Sequence, residues 1–360
     1  MTSFGINVYD FGAVGDGVTD DTAAIQRAID YAAQRGGGRI LFPYTPGGYR
    51  IASPAVELYE GRPVRAQLII PPGNANIFLV GEMPCRMLNS YQVRPMDVGG
   101  AFVPTRTGRM PFDNTVLFSD WDAPEEHDPE ARPWSMISAP EGDSCDGHFS
   151  VLQFSMANLE LRVPMRLEKM YPTQSGANLQ NVSRVNIRDC QFCLGEQVGD
   201  ALSGLELQPN PCHTVGLMTS GDQNDNNAVN NVAVQGFRYG FVFGEHVVAD
   251  YLYIHNCEEG MTFHDSSHLS SIGHVVAQHN TRIITTTREK LFGHNKGPCH
   301  VLIGTVNFEC GTGFKPAVSQ LQFGVYDPEG RLHGSVTWHK PWGEQEFPVV
   351  CAAQFKVLHF

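Results

Sequence analysis

Apolar positions Ala23, Ile25, Ala28, Ile29 and Ala32 recur at helical spacing between two glycine-rich turns, a pattern that predicts one short amphipathic helix near the start of the chain. Thr19, Asp20 and Asp21 stand ahead of it with side chains able to accept from the orphan amides of a first turn, and Gly36-Gly37-Gly38 ends the run. Beyond the helix the period falls towards two. Short apolar runs at 39–42, 67–70 and 77–80 read as strands. From 83 to 147 the pattern loosens into Pro, Gly, Asp and Glu clusters (PFDN, DAPEEHDPEARP, APEGDSCDG), which predict long loop insertions on a rigid scaffold. Strand signals resume at 149, and residues 316–360 read as terminal strands with a hairpin turning at Asp327-Pro328-Glu329-Gly330.

Between 182 and about 311 the strand pattern repeats. VNIRDCQFCLGEQVGDALSGLELQ, VAVQGFRYGFVFGEH, LYIHNCEEGMTFHDSS and HVVAQHNTRIITTT can be laid under one another, each an alternating strand, a short turn and a second strand. Gly240 and Gly260 then align 20 residues apart, the length of one rung of a coil. Stacked units of this kind bury their faces only against neighbours, which makes an all-β solenoid the expected class.

The opening stretch NVYDFGAVGDGVTDDTAAIQRAIDYAAQRGGGRILFPYTPGGYRI, residues 7–51, resembles the start of the pectate-lyase-like superfamily, which includes polygalacturonases, alginate epimerases and tailspike depolymerases. The resemblance implies an all-β, right-handed parallel β-helix with an N-terminal capping α-helix, residues 1–51 forming the cap and 1–360 a single domain. A coil of parallel strands exposes unpaired backbone and apolar interior at its first turn, so a cap has a physical purpose. Asp16, Asp20 and Asp21 are accordingly read as acids that satisfy turn and helix amides, not as metal ligands or proton donors. Beyond residue 51 the sequence lacks the Gly-His-Gly and Arg-Ile-Lys triplets of polygalacturonases and the Asp-Pro-His-Glu run of alginate epimerases.

A formal net charge of -13 argues against nucleic acid and against an anionic membrane surface, and leans away from a polyuronate. No stretch approaches the ~20 apolar residues of a membrane span, and no basic segment followed by an apolar run opens the chain. As written, a cytoplasmic protein is expected; a secreted or virion-associated one is expected if a leader was removed. Nine scattered cysteines point to reduced thiols, and the Cys190-x-x-Cys193 pair is read as wall packing because no second pair follows at zinc spacing.

The repeat also organises the candidate chemistry. Superposing Gly240 on Gly260 sets Phe243 over Phe263 and Glu245 over Asp265. Adjacent rungs lie ~4.8 Å apart, close to the ~5–5.5 Å between the carboxyls of retaining glycosidases. Glu245 and Asp265 are therefore the expected catalytic pair, one neutral and donating a proton, the other ionised. His246, His264, His268, Arg282, Glu206 and Tyr239 are the expected substrate-binding groups on the same or flanking rungs. Trp121, Trp134, Tyr239, Tyr251 and Tyr253 could offer stacking faces to sugar rings. Neither HDSSH at 264–268 nor SGDQNDNN at 220–227 completes a metal-ligand pattern, so no metal and no cofactor is expected. The reading is a glycoside hydrolase or glycosyl-transferring enzyme acting on an oligo- or polysaccharide, with a homotrimer as one assembly open to such a coil. The alternatives are a uronate lyase or epimerase using Ca²⁺, and a non-catalytic glycan-binding or structural β-helix.

Overall fold

The structure, a computed structural model, describes residues 5–83, 85, 112–128, 131–142, 149–165, 171–194, 210–219, 227–244, 246–263, 269–278, 280 and 282–286, together with strands at 300–310, 321–326, 332–333, 337–338, 349–354 and 358–359. It is a parallel β-helix: strands fall into a fifteen-stranded and an eleven-stranded sheet, and the chain alternates between them rung by rung. The larger sheet has two faces that merge through long bent strands. Val182–Leu194 pairs in its first half with Val151–Ala157 and in its second half with Glu160–Val163.

The bend between these faces falls at one register level on successive rungs. Asn158 (φ 56°), Asp189 (φ 52°), Asn231 (φ 54°) and Tyr251 (φ 53°) all adopt the left-handed conformation there. Asn and Asp tolerate that region because their short polar side chains bond locally; the Asn231 amide donates to the Asp189 carboxylate at 2.6 Å. The interior is one continuous apolar cluster running from Val8 to Ile283.

Helix Thr22–Gln34 covers the open end of this cluster with Ala24, Ile25, Ala28, Ile29 and Ala32. Ala23, expected on the buried face, points to solvent, and Ala24 takes its place. The helix also meets the exposed backbone of the first rung directly. The Gln26 side-chain amide donates to Ile69 O at 2.9 Å while its oxygen accepts from Ile69 N at 2.8 Å, satisfying two edge groups that the coil cannot pair. At Gly37 (φ 125°) a Cβ would lie 2.5 Å from Asn76 O, so the glycine run that ends the helix also lets the first strand close on the next.

The 83–147 stretch, read as loop insertion, holds two strands of the coil, Val116–Ser119 and Ser135–Ser138, each paired parallel on both sides. All eight of their residues are buried, which removes the apolar–polar alternation by which a strand is recognised. At the far end Val349–Gln354 pairs antiparallel with His300–Cys310, and Leu321–Tyr326 with Leu332–His333, as a terminal hairpin requires. No described helix is long and apolar enough to cross a membrane.

Candidate functional site

The eleven-stranded sheet stacks Ser175–Asn178, Val215–Met218, Tyr239–Phe243, Glu259–Phe263 and Arg282–Thr286 in parallel register. Phe243 lies opposite Phe263, and both are in the core, as the 20-residue repeat predicts. At Gly240 a Cβ would sit 2.5 Å from Gly260 O, so these two glycines let neighbouring rungs approach. The outer side of this sheet is also buried: Val215, Met218, Tyr239 and Val242 form a second apolar cluster separate from the interior.

Charge gathers beside that cluster. Register brings Tyr239, Glu259 and Arg282 into one column over three rungs. Arg282 donates from Nη2 to Glu259 Oε1, and Thr262 Oγ1 donates to Glu259 Oε2 at 3.5 Å. One residue earlier, on the turn, Arg238 Nε lies 3.9 Å from Glu258 Oε2. The Asn210 backbone N–H donates to Glu258 Oε1, and the Asn210 amide is itself held by Pro172 O at 3.2 Å and Thr214 Oγ1 at 2.8 Å. Two groups pack on the Tyr239 ring: the Arg238 guanidinium lies 5.2 Å from its centroid, and His213 stacks on it at 6.3 Å with 17° between planes. His213 Nε2 is 3.5 Å from Arg238 Nη1.

The two neighbouring carboxyls therefore sit in unlike surroundings. Burial pushes Glu258 above the ordinary carboxylate range, and the Asn210 N–H and Arg238 only partly offset it; the Glu259 and Arg282 charges add smaller opposing effects. Glu259 is ion-paired with Arg282. A carboxyl raised by burial beside an ion-paired one is an arrangement suited to proton-transfer chemistry at a sugar acetal. Among the described residues no group of three or more His, Cys, Asp and Glu is placed to hold a metal ion.

Acids elsewhere are occupied with structure. Asp21 accepts from the amides of Val14 (2.7 Å) and Gly15 (3.0 Å), and Asp16 from those of Val18 and Thr19. Glu160, fully buried, accepts from Arg162 Nε (2.5 Å), Asn114 Nδ2 (2.6 Å) and Cys193 Sγ (3.2 Å). The C-x-x-C pair is part of the wall: burial pushes the Cys190 thiol up to about 12 and Cys193 well above its usual value, so neither offers a thiolate.

Of the residues expected from sequence, Tyr239 and Arg282 are brought together in this column, though Arg282 is engaged by Glu259 and Tyr239 is buried. His246 lies at the opposite edge of the sheet, three residues past Tyr239–Phe243, half-buried and left-handed at φ 53°. Glu245, Asp265, His264, His268 and Glu206 fall outside the described residues. Arg238, Glu258, Glu259 and His213 were missed by sequence reasoning. The signal for three of them was in the same alignment: one and two residues before Gly240 and Gly260, it sets Tyr239 over Glu259 and Arg238 over Glu258.

The family model for rhamnogalacturonase A/epimerase, pectate lyase-like, matches residues 5–64. The mannuronan C5-epimerase AlgE5 of Azotobacter vinelandii is 61% identical over 46 residues, 13% of this chain and 4% of the epimerase. The plasmin and fibronectin-binding protein A of Streptococcus pneumoniae is 62% identical over 39 residues, 11% of this chain and 5% of that protein. This chain thus spans only a small fraction of the length of the curated relatives it matches. Among solved structures, the A-module of the A. vinelandii mannuronan C-5 epimerase AlgE6 is similar at 16% identity and a TM-score of 0.29, covering 83% of this chain and 80% of that one. The family model thus matches the cap and the first strands, and a parallel coil of strands lies behind them.

Proposed function

We propose that this chain is a carbohydrate-active enzyme that cleaves or transfers a glycosidic bond on the outer side of its eleven-stranded sheet. Glu258 is the proton donor: its proton goes to the glycosidic oxygen as the bond to the anomeric carbon breaks. Glu259 is its partner, acting as nucleophile towards that carbon or as base towards an incoming hydroxyl. Arg282 holds Glu259 in place through their ion pair, and Arg238, Tyr239 and His213 pack together as a flank for the sugar. The observation that carries this reading is the pair of adjacent carboxyls in opposed environments, one raised by burial and one ion-paired. Glu245 and Asp265, which follow two of these strands in the chain, are the other candidate acid pair.

The test is a panel digest of neutral fructans, glucans and galactans beside pectate and alginate, read for new reducing ends and transfer products. It is run on the wild type and on Glu258→Gln, Glu259→Gln, Glu245→Gln and Asp265→Asn. Loss with Glu258→Gln supports the assignment; full activity in that variant removes it.

A uronate lyase or epimerase is the second reading, favoured by the two guanidiniums on the site and by the short epimerase match. Lyase products absorb in the ultraviolet through their new double bond, and epimerase products change their uronate composition without new ends. The short match to a plasmin and fibronectin-binding protein shows why local similarity alone does not select an enzyme.

A further inference from the structure

Among the four left-handed corner residues, Tyr251 departs from the Asn and Asp that precede it on the column. A bulky aromatic is poorly suited to positive φ, so its presence calls for a use that Asn would not serve. Its ring lies parallel to His274 on the next rung, 5.5 Å between centroids and 5° between planes. Tyr251 nevertheless stays 44% exposed. His274 stacks on the ring from the next rung, and the preceding residue of the column is the shorter Asn231.

Hydrogen-bonding groups adjoin the ring. Asp250 and Asn230 are both exposed on neighbouring rungs, and Asn230 Oδ1 accepts from the Asp250 N–H at 3.1 Å. Gly273 stands level with Asp250: a Cβ there would lie 2.7 Å from Asp250 Oδ1, so the glycine leaves room for the carboxylate across the next rung. A held, solvent-facing aromatic with a carboxylate and an amide at its side is suited to a pyranose ring, whose C–H face stacks while its hydroxyls donate to the acid.

We infer that Tyr251, backed by His274 and flanked by Asp250 and Asn230, is a binding site for a neutral glycan chain, on a corner of the coil away from the sheet that carries Glu258 and Glu259. Asp250 repels a uronate carboxylate, which sets the class. The inference needs a glycan to bind here but no turnover, so it stands or falls apart from the proposed chemistry.

The experiment is affinity electrophoresis of the full chain through gels containing soluble β-glucan, galactan or polygalacturonate, with Tyr251→Asn and Tyr251→Phe beside the wild type, the gel polymer being checked for breakdown after each run. Asn suits the left-handed corner, so Tyr251→Asn should melt at the same temperature as the wild type or higher. The expected result is retardation in a neutral gel, little in polygalacturonate, retention of binding in Tyr251→Phe, and a Kd about three- to tenfold weaker in Tyr251→Asn. No retardation of the parent protein in any neutral gel overturns the inference. So does equal binding by Tyr251→Asn, or a variant whose only change is lost self-association, which would make the corner a contact between copies.

Discussion

The N-terminal cap and the outer side of the eleven-stranded sheet both concentrate acidic residues, and they use them in opposite ways. In the cap, Asp16, Asp20 and Asp21 turn towards backbone amides and hydroxyls of their own turn and of the chain segment at Ala52 and Ser53. On the sheet, Glu258 and Glu259 face guanidiniums, with a stacked Tyr–His pair alongside. A carboxyl whose oxygens are taken up by local amides fixes a fold even where burial raises it, as at Asp21; a carboxyl raised by burial and placed beside an ion-paired one can exchange a proton. Residue type alone does not separate the two. Partners do.

The comparison breaks most visibly at Glu258. Glu258→Gln should lower turnover by about 10² to 10⁴-fold, the worth of a general acid, with the fold retained. Activity that needs the neutral acid should hold at low pH and fall as pH rises through the folded pKa of Glu258, which lies above the usual carboxylate value of about 4.3. The linked stability has the same sign: a raised folded pKa favours the protonated fold, so this contribution is present below the unfolded pKa and lost as pH rises through the folded one. Urea melts of the wild type and Glu258→Gln at pH 4 and pH 8 measure that difference.

At the cap the expected effects are on stability. Asp21 is fully buried and bonded to two amides, so Asp21→Ala should cost about 2–3 kcal/mol in denaturant unfolding while leaving turnover per folded molecule unchanged. Asp20 is smaller and pH-dependent. Burial works against its charge, but bonds from Thr22, Ser53 and Ala52 lower it to about 2. A depressed folded pKa gives stability that is present above the unfolded value of about 3.9 and lost as pH falls towards 2. Asp20→Asn should flatten acid unfolding across that window at a cost of about 1 kcal/mol near pH 7. The smallest effect is at Ala23, where Ala23→Glu on the solvent face should stay within about 0.5 kcal/mol of the wild type.

The same contrast explains what was legible in the sequence. The helix, its glycine stop and the Gly240/Gly260 rung were readable because each is local or repeats at a fixed interval. Ala23 and Ala24 were exchanged because a one-residue rotation of a short helix leaves its apolar periodicity almost unchanged. Val116–Ser119 and Ser135–Ser138 were hidden because strands buried on both sides carry no alternation. The site needed pairing across rungs: Arg282 meets Glu259 over a gap of 23 residues, and His213 meets Arg238 over 25. Tyr239 and Arg282 could be nominated singly. Their neighbours became visible only once register set acid against base, and the ion pairs then changed Arg282 from a free ligand for sugar into a support for Glu259.

The central claim is that chemistry resides at Glu258 on the outer sheet face while the cap acids serve the fold. Its most direct test is turnover per folded molecule, on whichever panel glycan the wild type converts, for Glu258→Gln, Glu245→Gln and Asp21→Ala side by side. The account predicts at least a hundredfold loss in Glu258→Gln alone, with Asp21→Ala losing stability but not activity. Near-wild-type turnover in Glu258→Gln, together with loss in Glu245→Gln, would contradict it and move the chemistry to Glu245.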